Sequence, residues 1–320
     1  MKDNLIWSYL IHLGDNMWGD YGPDHSSDCI KTEPLKCEDK AWNEIIDRLV
    51  EKKCCNTILI DVAEGVQYES HPEIAAPGAW SKQKLSDEIS RLRSLGFKVY
   101  PKLNFSAAHD KWIGVYSRMV STPHYYAFCK DVIDEMSELF GKPELFHLGM
   151  DEECMSCQTK MSVCVIRSHE LFWHDIKYLF DVTEKNGARP WIWADHVWHD
   201  NESQEAFLKH ASKEALYSNW YYGNFKHTEG YLHDSMSSYA TLEKHGFDQL
   251  PTGSNCDGTI EFCRENMCLT VEKCPQIIAP ERLKGFMMTS WVTTTQEGRE
   301  RNLDAVDCLS EAYDLYYSKK

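Results

Sequence analysis

No basic run breaks the acidity of this 320-residue chain: 34 Lys and Arg stand against 50 Asp and Glu, a formal net charge of −16. That excess argues against nucleic acid and against an anionic membrane surface as partners. Long apolar runs are missing too, and none approaches the roughly 20 residues that a spanning helix needs. No low-complexity tract and no Pro/Gly/Ser-rich linker interrupts the sequence, so one domain over residues 1–320 is expected. No Gly-rich phosphate loop follows the first apolar run, which removes the strongest sign of a dinucleotide fold. That run, Leu5–Leu13, is already strand-like, so no secretory leader is read ahead of it.

Cysteine, by contrast, is plentiful and odd in number, at 13. Without a leader these residues read as mostly reduced thiols, and a cytoplasmic location is the expectation. Two groups invite a metal reading: Cys154, Cys157 and Cys164, and Cys256, Cys263, Cys268 and Cys274. Only Cys154-x2-Cys157 has familiar ligand spacing, and it has no second matching pair. No metal and no cofactor is expected.

Short apolar runs alternate with amphipathic stretches along the whole chain. Strands are expected at Leu5–Leu13, Thr57–Val62, Lys98–Asn104, Leu145–Met150, Pro190–Asp195, Ala215–Trp220, Gln249–Gly253 and Gly285–Trp291. Helices are expected at Lys40–Lys53, Ser81–Leu95, Pro123–Phe140, Arg167–Lys185, Glu202–His210, Tyr231–His245, Thr259–Lys273 and Leu303–Tyr317. Strand–helix alternation of this kind predicts an α/β fold, a (β/α)8 TIM barrel, with a doubly wound open sheet as the alternative.

In such a barrel the chemistry gathers at the carboxyl ends of the strands. Those ends supply His12, Asp15, Asn16 and Trp18 from the first strand, Asp61 and Glu64 from the second, and Asn104, His109, Asp110 and Trp112 from the third. The fifth adds Trp193, Asp195, His196 and Trp198, the sixth Asn219, Trp220, Tyr221 and Tyr222, the seventh Gln249, Ser254 and Asn255, and the eighth Trp291. Aromatic faces mixed with amides and acids suit a sugar, whose C–H face packs on a ring while its hydroxyls need paired donors and acceptors. Phosphate would call for Arg, Lys or backbone nests, in which these ends are poor. The expected partner is therefore a carbohydrate substrate. Aromatics on the outer helices would also permit a homodimer.

The fourth strand is the most telling. Leu145-Phe146-His147-Leu148-Gly149-Met150 delivers Asp151, Glu152 and Glu153 where a buried strand should end. Acids are costly there without a task, because desolvation disfavours their charged forms. The bland alternative is a helix N-terminus, where the same acids would suit the dipole.

His147-Leu148-Gly149-Met150-Asp151-Glu152 resembles the His-x-Gly-Gly-Asp-Glu signature of glycoside hydrolase family 20, the β-N-acetylhexosaminidases. The resemblance is specific over about six residues, with Trp193-Ala194-Asp195 and Trp291 as similar supporting hints. It implies a retaining mechanism in which the 2-acetamido group of an amino sugar glycoside is the nucleophile. Asp151 would then orient that group, and Glu152 would serve as general acid and base. Neighbouring residues on a flat strand face opposite ways, so the chain must twist out of the strand at Asp151. His147 would belong to the pocket, Trp193, Trp220 and Trp291 would wall it, and Asn219 or Tyr221 would donate to the acetamide oxygen.

The chain also departs from the family. Met150 replaces the second glycine, the strand-one Arg that grips sugar hydroxyls is missing, strand seven lacks the Tyr and Asp, and strand eight lacks the Trp-x-Glu ending. No accessory domain is read ahead of the barrel within these residues. Two other sugar-directed readings stay open: a glycosidase with separated carboxylates, pairing Glu152 with Asp195 or Asp61, and a non-catalytic sugar-binding barrel. A metal-dependent hydrolase using His109 with Asp110, or Asp195 with His196, is a further alternative.

Overall fold

The structure, a computed structural model, describes residues 4–15, 33–154, 165–167, 170–255 and 263–318. Its strands are β1 (Ile6–His12), β2 (Thr57–Asp61), β3 (Lys98–Lys102), β4 (Leu145–His147), β5 (Arg189–Trp193), β6 (Leu216–Ser218), β7 (Asp248–Gln249), β8 (Thr252–Ser254) and β9 (Gly285–Thr289). Among the described residues the helices are α1 (Asp39–Lys52), α2 (Lys82–Ser94), α3 (Pro123–Leu139), α4 (Glu170–Lys185), α5 (Asn201–His210), α6 (Gly230–Lys244), α7 (Cys263–Lys273) and α8 (Arg299–Ser318). All strand pairings are parallel, in the order β7-β6-β5-β4-β3-β2-β1-β9-β8.

The two sheet edges, β7 and β8, are halves of one strand interrupted at Leu250-Pro251, because proline has no N–H to give to a ladder. β7 pairs with β6 and β8 with β9, and a Trp220–Thr252 bridge closes the ring. The expected eight-stranded barrel results.

Helix boundaries follow the sequence closely. Ser81 caps α2 by accepting from Lys84 N, and Thr122 caps α3 by accepting from Tyr125 N, with Pro123 at the first position. Among the described residues α4 runs from Glu170, and Arg167, expected to open it, has its side chain fully buried.

Strand periodicity divides the core in two. Trp7, Tyr9, Ile11, Ile58, Ile60, Phe146, Ile192, Phe286 and Met288 face the helices. Leu10, Leu59, Tyr100, Leu145, Trp191, Leu216 and Met287 fill the barrel interior. One step above Leu10 and Leu59, toward the carboxyl ends, the inward positions turn polar: His12 pairs in register with Asp61, Asp61 with Lys102, and Lys102 with His147. An apolar plug below and a polar layer above define which end carries the chemistry.

Candidate active site

The ladder of β4 ends at His147, three residues short of the expected Met150. Gly149 and Met150 both take left-handed backbone at φ 72°, and Glu152 follows at φ 58°. Such angles cost a non-glycine residue roughly 1–2 kcal/mol each, so this turn is held by its surroundings. Glycine is required at 149, because a Cβ there would overlap the Asn104 amide and lie 2.7 Å from Asn104 Cα. Met150, in place of a second glycine, keeps the turn by burying its side chain in the core. The chain thus twists out of the sheet where Asp151 and Glu152 need to share one side.

Asn104, just past β3, organises this turn. Its Nδ2 donates to Asp151 Oδ1 at 2.7 Å, and its Oδ1 accepts from Met150 N at 3.2 Å and Ser106 N at 3.0 Å. His109 lies against both acids, with Nε2 3.4 Å from Asp151 Oδ2 and 3.1 Å from Glu152 Oε2. Burial pushes the Asp151 carboxyl above the usual range; the Asp195 and Glu152 carboxylates add to this, and His109 and Lys102 oppose it. Glu152 keeps 29% of its side chain exposed, whereas Asp151 is buried. The third acid is elsewhere: Glu153 turns inward to a buried ion pair with Arg167, which also binds Asp175 and Phe105 O.

Asp195 braces the turn from β5. Its Oδ2 accepts from Glu152 N at 2.7 Å and lies 2.7 Å from His199 Nε2. Although burial works against the charged ring, hydrogen bonds to Asp195 and Cys154 and the Asp195 charge raise His199 to about 10. His196 goes the other way, to about 4, through burial and the neighbouring His199 cation.

Beneath the acids lies the polar layer. Lys102 Nζ donates to Asp61 Oδ2 at 2.6 Å, and His12 Nδ1 is 3.2 Å from the same oxygen. Burial alone would raise the Asp61 carboxyl, but Lys102 and His12 bring it down to about 2. His147 accepts from Gly149 N at Nδ1 and sits between the Trp191 and Trp193 rings. At the rim, Asp15 pairs with Lys36 at 2.7 Å, and its N–H donates to Glu64. Burial, then the hydrogen bond and charge of Asp15, raise Glu64 to about 8.

Indoles form the opposite wall. Trp193 and Trp291 have ring centroids 5.7 Å apart, and Trp291 also meets His12 at 5.7 Å. Trp291 Nε1 donates to Tyr222 OH at 2.8 Å, and Tyr222 stacks on Trp220 at 5.4 Å.

Of the residues read from sequence, the structure brings together Asp151, Glu152, Asn104, His147, Trp193 and Asp195 around β4 and β5. His12, Trp220 and Trp291 join through ring contacts, and Asp15 stands at the rim. Five others are committed to the scaffold. Asn219 is buried between Trp198 Nε1 and Ser235 O, and Tyr221 OH is held by His227 and Phe225 N. Trp112 packs in the core, donating to Asn104 O. Gln249 donates to Tyr239 O on α6, and Asn255 is tied to Arg301 O and Asp304 on α8. Asn16 and Trp18 lie outside the described residues, as do Cys157, Cys164 and Cys256.

Sequence reading placed His109 and Tyr222 among the strand-end residues, His109 also as a metal candidate, and missed Lys102 and His199 as site residues. A lysine inside the strand Lys98–Lys102 was the one available signal. Asp61 has no role as an exposed second carboxylate, since it is fully buried beneath Lys102 and His12. His196 stacks on Phe172 at 4.5 Å rather than joining Asp195 as a ligand pair. Among the described residues no three His, Cys, Asp or Glu are grouped to hold a metal ion.

The profile described as "Glycosyl hydrolase family 20, catalytic domain" matches residues 72–238, which include β3, β4 and the acid-bearing turn. The chain belongs to this family. Solved structures share the family 20 barrel at low identity. A chitobiase of Flavobacterium johnsoniae superposes with a TM-score of 0.60 at 17% identity, over 85% of this chain and 46% of its own. For a β-N-acetylhexosaminidase of Bacteroides fragilis the values are 0.62 and 14%, over 94% and 65%. For a family 20 exo-β-N-acetylglucosaminidase of Vibrio harveyi they are 0.58 and 12%, over 98% and 57%. This chain therefore spans about half to two-thirds of the length of these family 20 relatives. No curated protein matches it by sequence.

Proposed function

We propose that this family 20 chain is an exo-acting glycosidase of the β-N-acetylhexosaminidase type, working by substrate assistance. One observation carries the reading: Asp151 and Glu152, adjacent in sequence, both reach His109 from a turn that has left the strand. Two carboxyls on the same side, one buried and one open to solvent, suit two different tasks.

In the proposed reaction the acetamido oxygen of the substrate attacks the anomeric carbon as Glu152 gives its proton to the leaving oxygen. Asp151, fixed by Asn104, accepts the acetamido N–H and balances the positive charge of the oxazolinium-like intermediate. Water then attacks the same carbon from the side the leaving group vacated, Glu152 takes its proton, and the anomeric configuration is retained. Burial, with the charges of Asp195 and Glu152, raises the Asp151 carboxyl, which favours one proton held between Asp151 and Glu152 over full ionisation of both. Trp193, Trp220 and Trp291 offer apolar walls for the acetamido methyl. Tyr222 is a better-placed hydroxyl than Tyr221, whose OH is already held within its own loop.

The test is hydrolysis of an aryl N-acetyl-β-hexosaminide, with product configuration read by NMR. Wild type is expected to release the β-anomer first, and Glu152→Gln to lose about 10²–10⁴ in kcat. Undiminished turnover by Glu152→Gln would remove this residue from the mechanism. An α-anomer as first product would exclude substrate assistance.

A further inference from the structure

Eight cysteines have described side chains, and seven of them share one condition: burial pushes the thiol up. Such a thiol stays protonated and inert. The eighth, Cys154, is half-buried and hydrogen-bonded to His199. His199 Nε2 lies 2.7 Å from Asp195 Oδ2, which leaves the other ring nitrogen for the thiol. Ring and carboxylate are both shielded, with 8% and 1% of their side chains exposed. A buried carboxylate holding an imidazole in its charged form, with a thiol on the far side of the ring, lets the sulfur proton pass to nitrogen.

The thiol can also be reached. Cys154 lines a cavity of about 540 Å³ between α5 and the start of α4, with Trp173, His196 and His210 in its walls. Burial and the neighbouring His199 cation keep His196 neutral, and its Nδ1 is buried without a hydrogen-bond partner among the described residues. A polar atom in that condition suits a small hydrogen-bonding guest. The cluster is tied to the acids as well, since the Asp195 oxygen beside His199 also accepts from Glu152 N. Thiol, imidazole and acid-bearing turn share one carboxylate.

We infer that Cys154 is a modification site, a thiolate paired with the His199 imidazolium that reacts with small electrophiles of the peroxide class entering through this cavity. Sulfur attacks one peroxide oxygen, and an S–O bond forms as the O–O bond breaks. The departing hydroxide takes the imidazolium proton and leaves as water. Cysteine is thereby oxidised to its sulfenic acid, and peroxide is reduced. His199 is then neutral and Asp195 has lost its counter-charge. Asp195 already raises the Asp151 carboxyl, and its uncompensated charge raises it further. Resting on the glycosidase reading above, oxidation therefore takes from Asp151 the charge that the intermediate needs, and a thiol reductant returns it.

Two readouts separate the chemistry from its effect. Iodoacetamide labelling of Cys154, localised by tandem mass spectrometry, is followed in the folded protein from about pH 6.5 to about pH 8.5. At the acid end wild type should label about five- to tenfold faster than His199→Gln, because the gain in thiolate is partly offset by weaker nucleophilicity. Within wild type alone the rate should rise less than about tenfold over this range, against about 50-fold for an ordinary thiol. Equal rates in the two proteins, the slope of an ordinary thiol in wild type, or no label on Cys154 overturns the thiolate. Hydrogen peroxide followed by dithiothreitol is then read on hydrolysis of an aryl N-acetyl-β-hexosaminide. Wild type should lose about tenfold in kcat/KM and regain it, while Cys154→Ser keeps through the same exposure the rate it had before. Equal losses in both proteins, or an oxidised Cys154 with wild-type activity intact, overturns the link to the acids alone. If wild type never hydrolyses the glycoside, the glycosidase reading falls and that link with it, and the labelling rates still decide the thiolate.

Discussion

Replacing Asn104 by aspartate exchanges an amide N–H for an oxygen while leaving the side chain's shape intact. In the native turn Asn104 Nδ2 donates to Asp151 Oδ1 at 2.7 Å, in a site where both residues are buried. The opposite oxygen still accepts from Met150 N and Ser106 N after the exchange, so the left-handed turn should survive. Two carboxylates at that distance repel by about 6 kcal/mol at an effective dielectric constant of ~20. Holding one proton at pH 7 on a carboxyl of ordinary affinity costs less, about 4 kcal/mol. The pair therefore keeps one proton, and the bond between the two side chains persists as O–H···O. Asn104→Asp should stay active in mildly acidic buffer and lose activity as the shared proton leaves, giving an alkaline limb that wild type lacks. Asn104→Ala removes the donor at every pH, and should cost about 1.5–3 kcal/mol in kcat/KM, the worth of a hydrogen bond to a charged group. The assay is the pH dependence of kcat/KM for wild type and both variants, with circular dichroism to establish folding. Superimposable profiles for all three would show that Asp151 takes nothing from Asn104, and the orienting role proposed for Asp151 would lose its structural basis.

Two further outcomes concern stability and need no substrate. Arg167→Met leaves Glu153 and Asp175 buried without their cation, and should lower unfolding free energy by about 3–5 kcal/mol in denaturant titrations; a loss under 1 kcal/mol would contradict the buried network. His199, held at about 10 by Asp195 and Cys154 against burial, gains its stabilising partnership only when protonated. Its contribution is complete below the unfolded-state value near 6.5 and is lost as pH rises toward about 10. Urea midpoints should therefore fall over that window in wild type and fall less steeply in His199→Gln. Equal slopes would mean that the imidazolium is not formed.

Much of the fold was legible without coordinates. The two periodicities, with Gly and Pro punctuation, located the described strands and helices to within a few residues, because burial on one face of an element is written directly into its spacing. The acid-bearing end of β4 was legible only in part: a helix N-terminus would explain the same carboxyls, and the strand-end residues elsewhere in the chain tipped the reading toward a pocket. The need for a twist at Asp151 followed from the roles the family resemblance implies for two adjacent acids, set against strand alternation, and the positive φ angles at Gly149, Met150 and Glu152 supply it.

Side-chain direction beyond the strand ends was another matter. Asn219, Tyr221, Gln249 and Asn255 sit at or near strand termini and have the right chemistry, yet each is spent on a helix or on its own loop. Local sequence cannot separate a residue that faces the pocket from one rotated toward the next helix, since loop conformation and strand register decide it. Lys102 reads as a surface lysine in Lys98–Lys102 until barrel closure turns alternate positions inward and places Asp61 beside it. His199 and Asp195 are four residues apart, but their partnership with Glu152 N spans 43 positions and exists only because β4 and β5 are neighbours. Composition and spacing determined the barrel and the acids it carries; long-range packing, which alone fixes what each polar atom faces, decided which of the surrounding residues attend them.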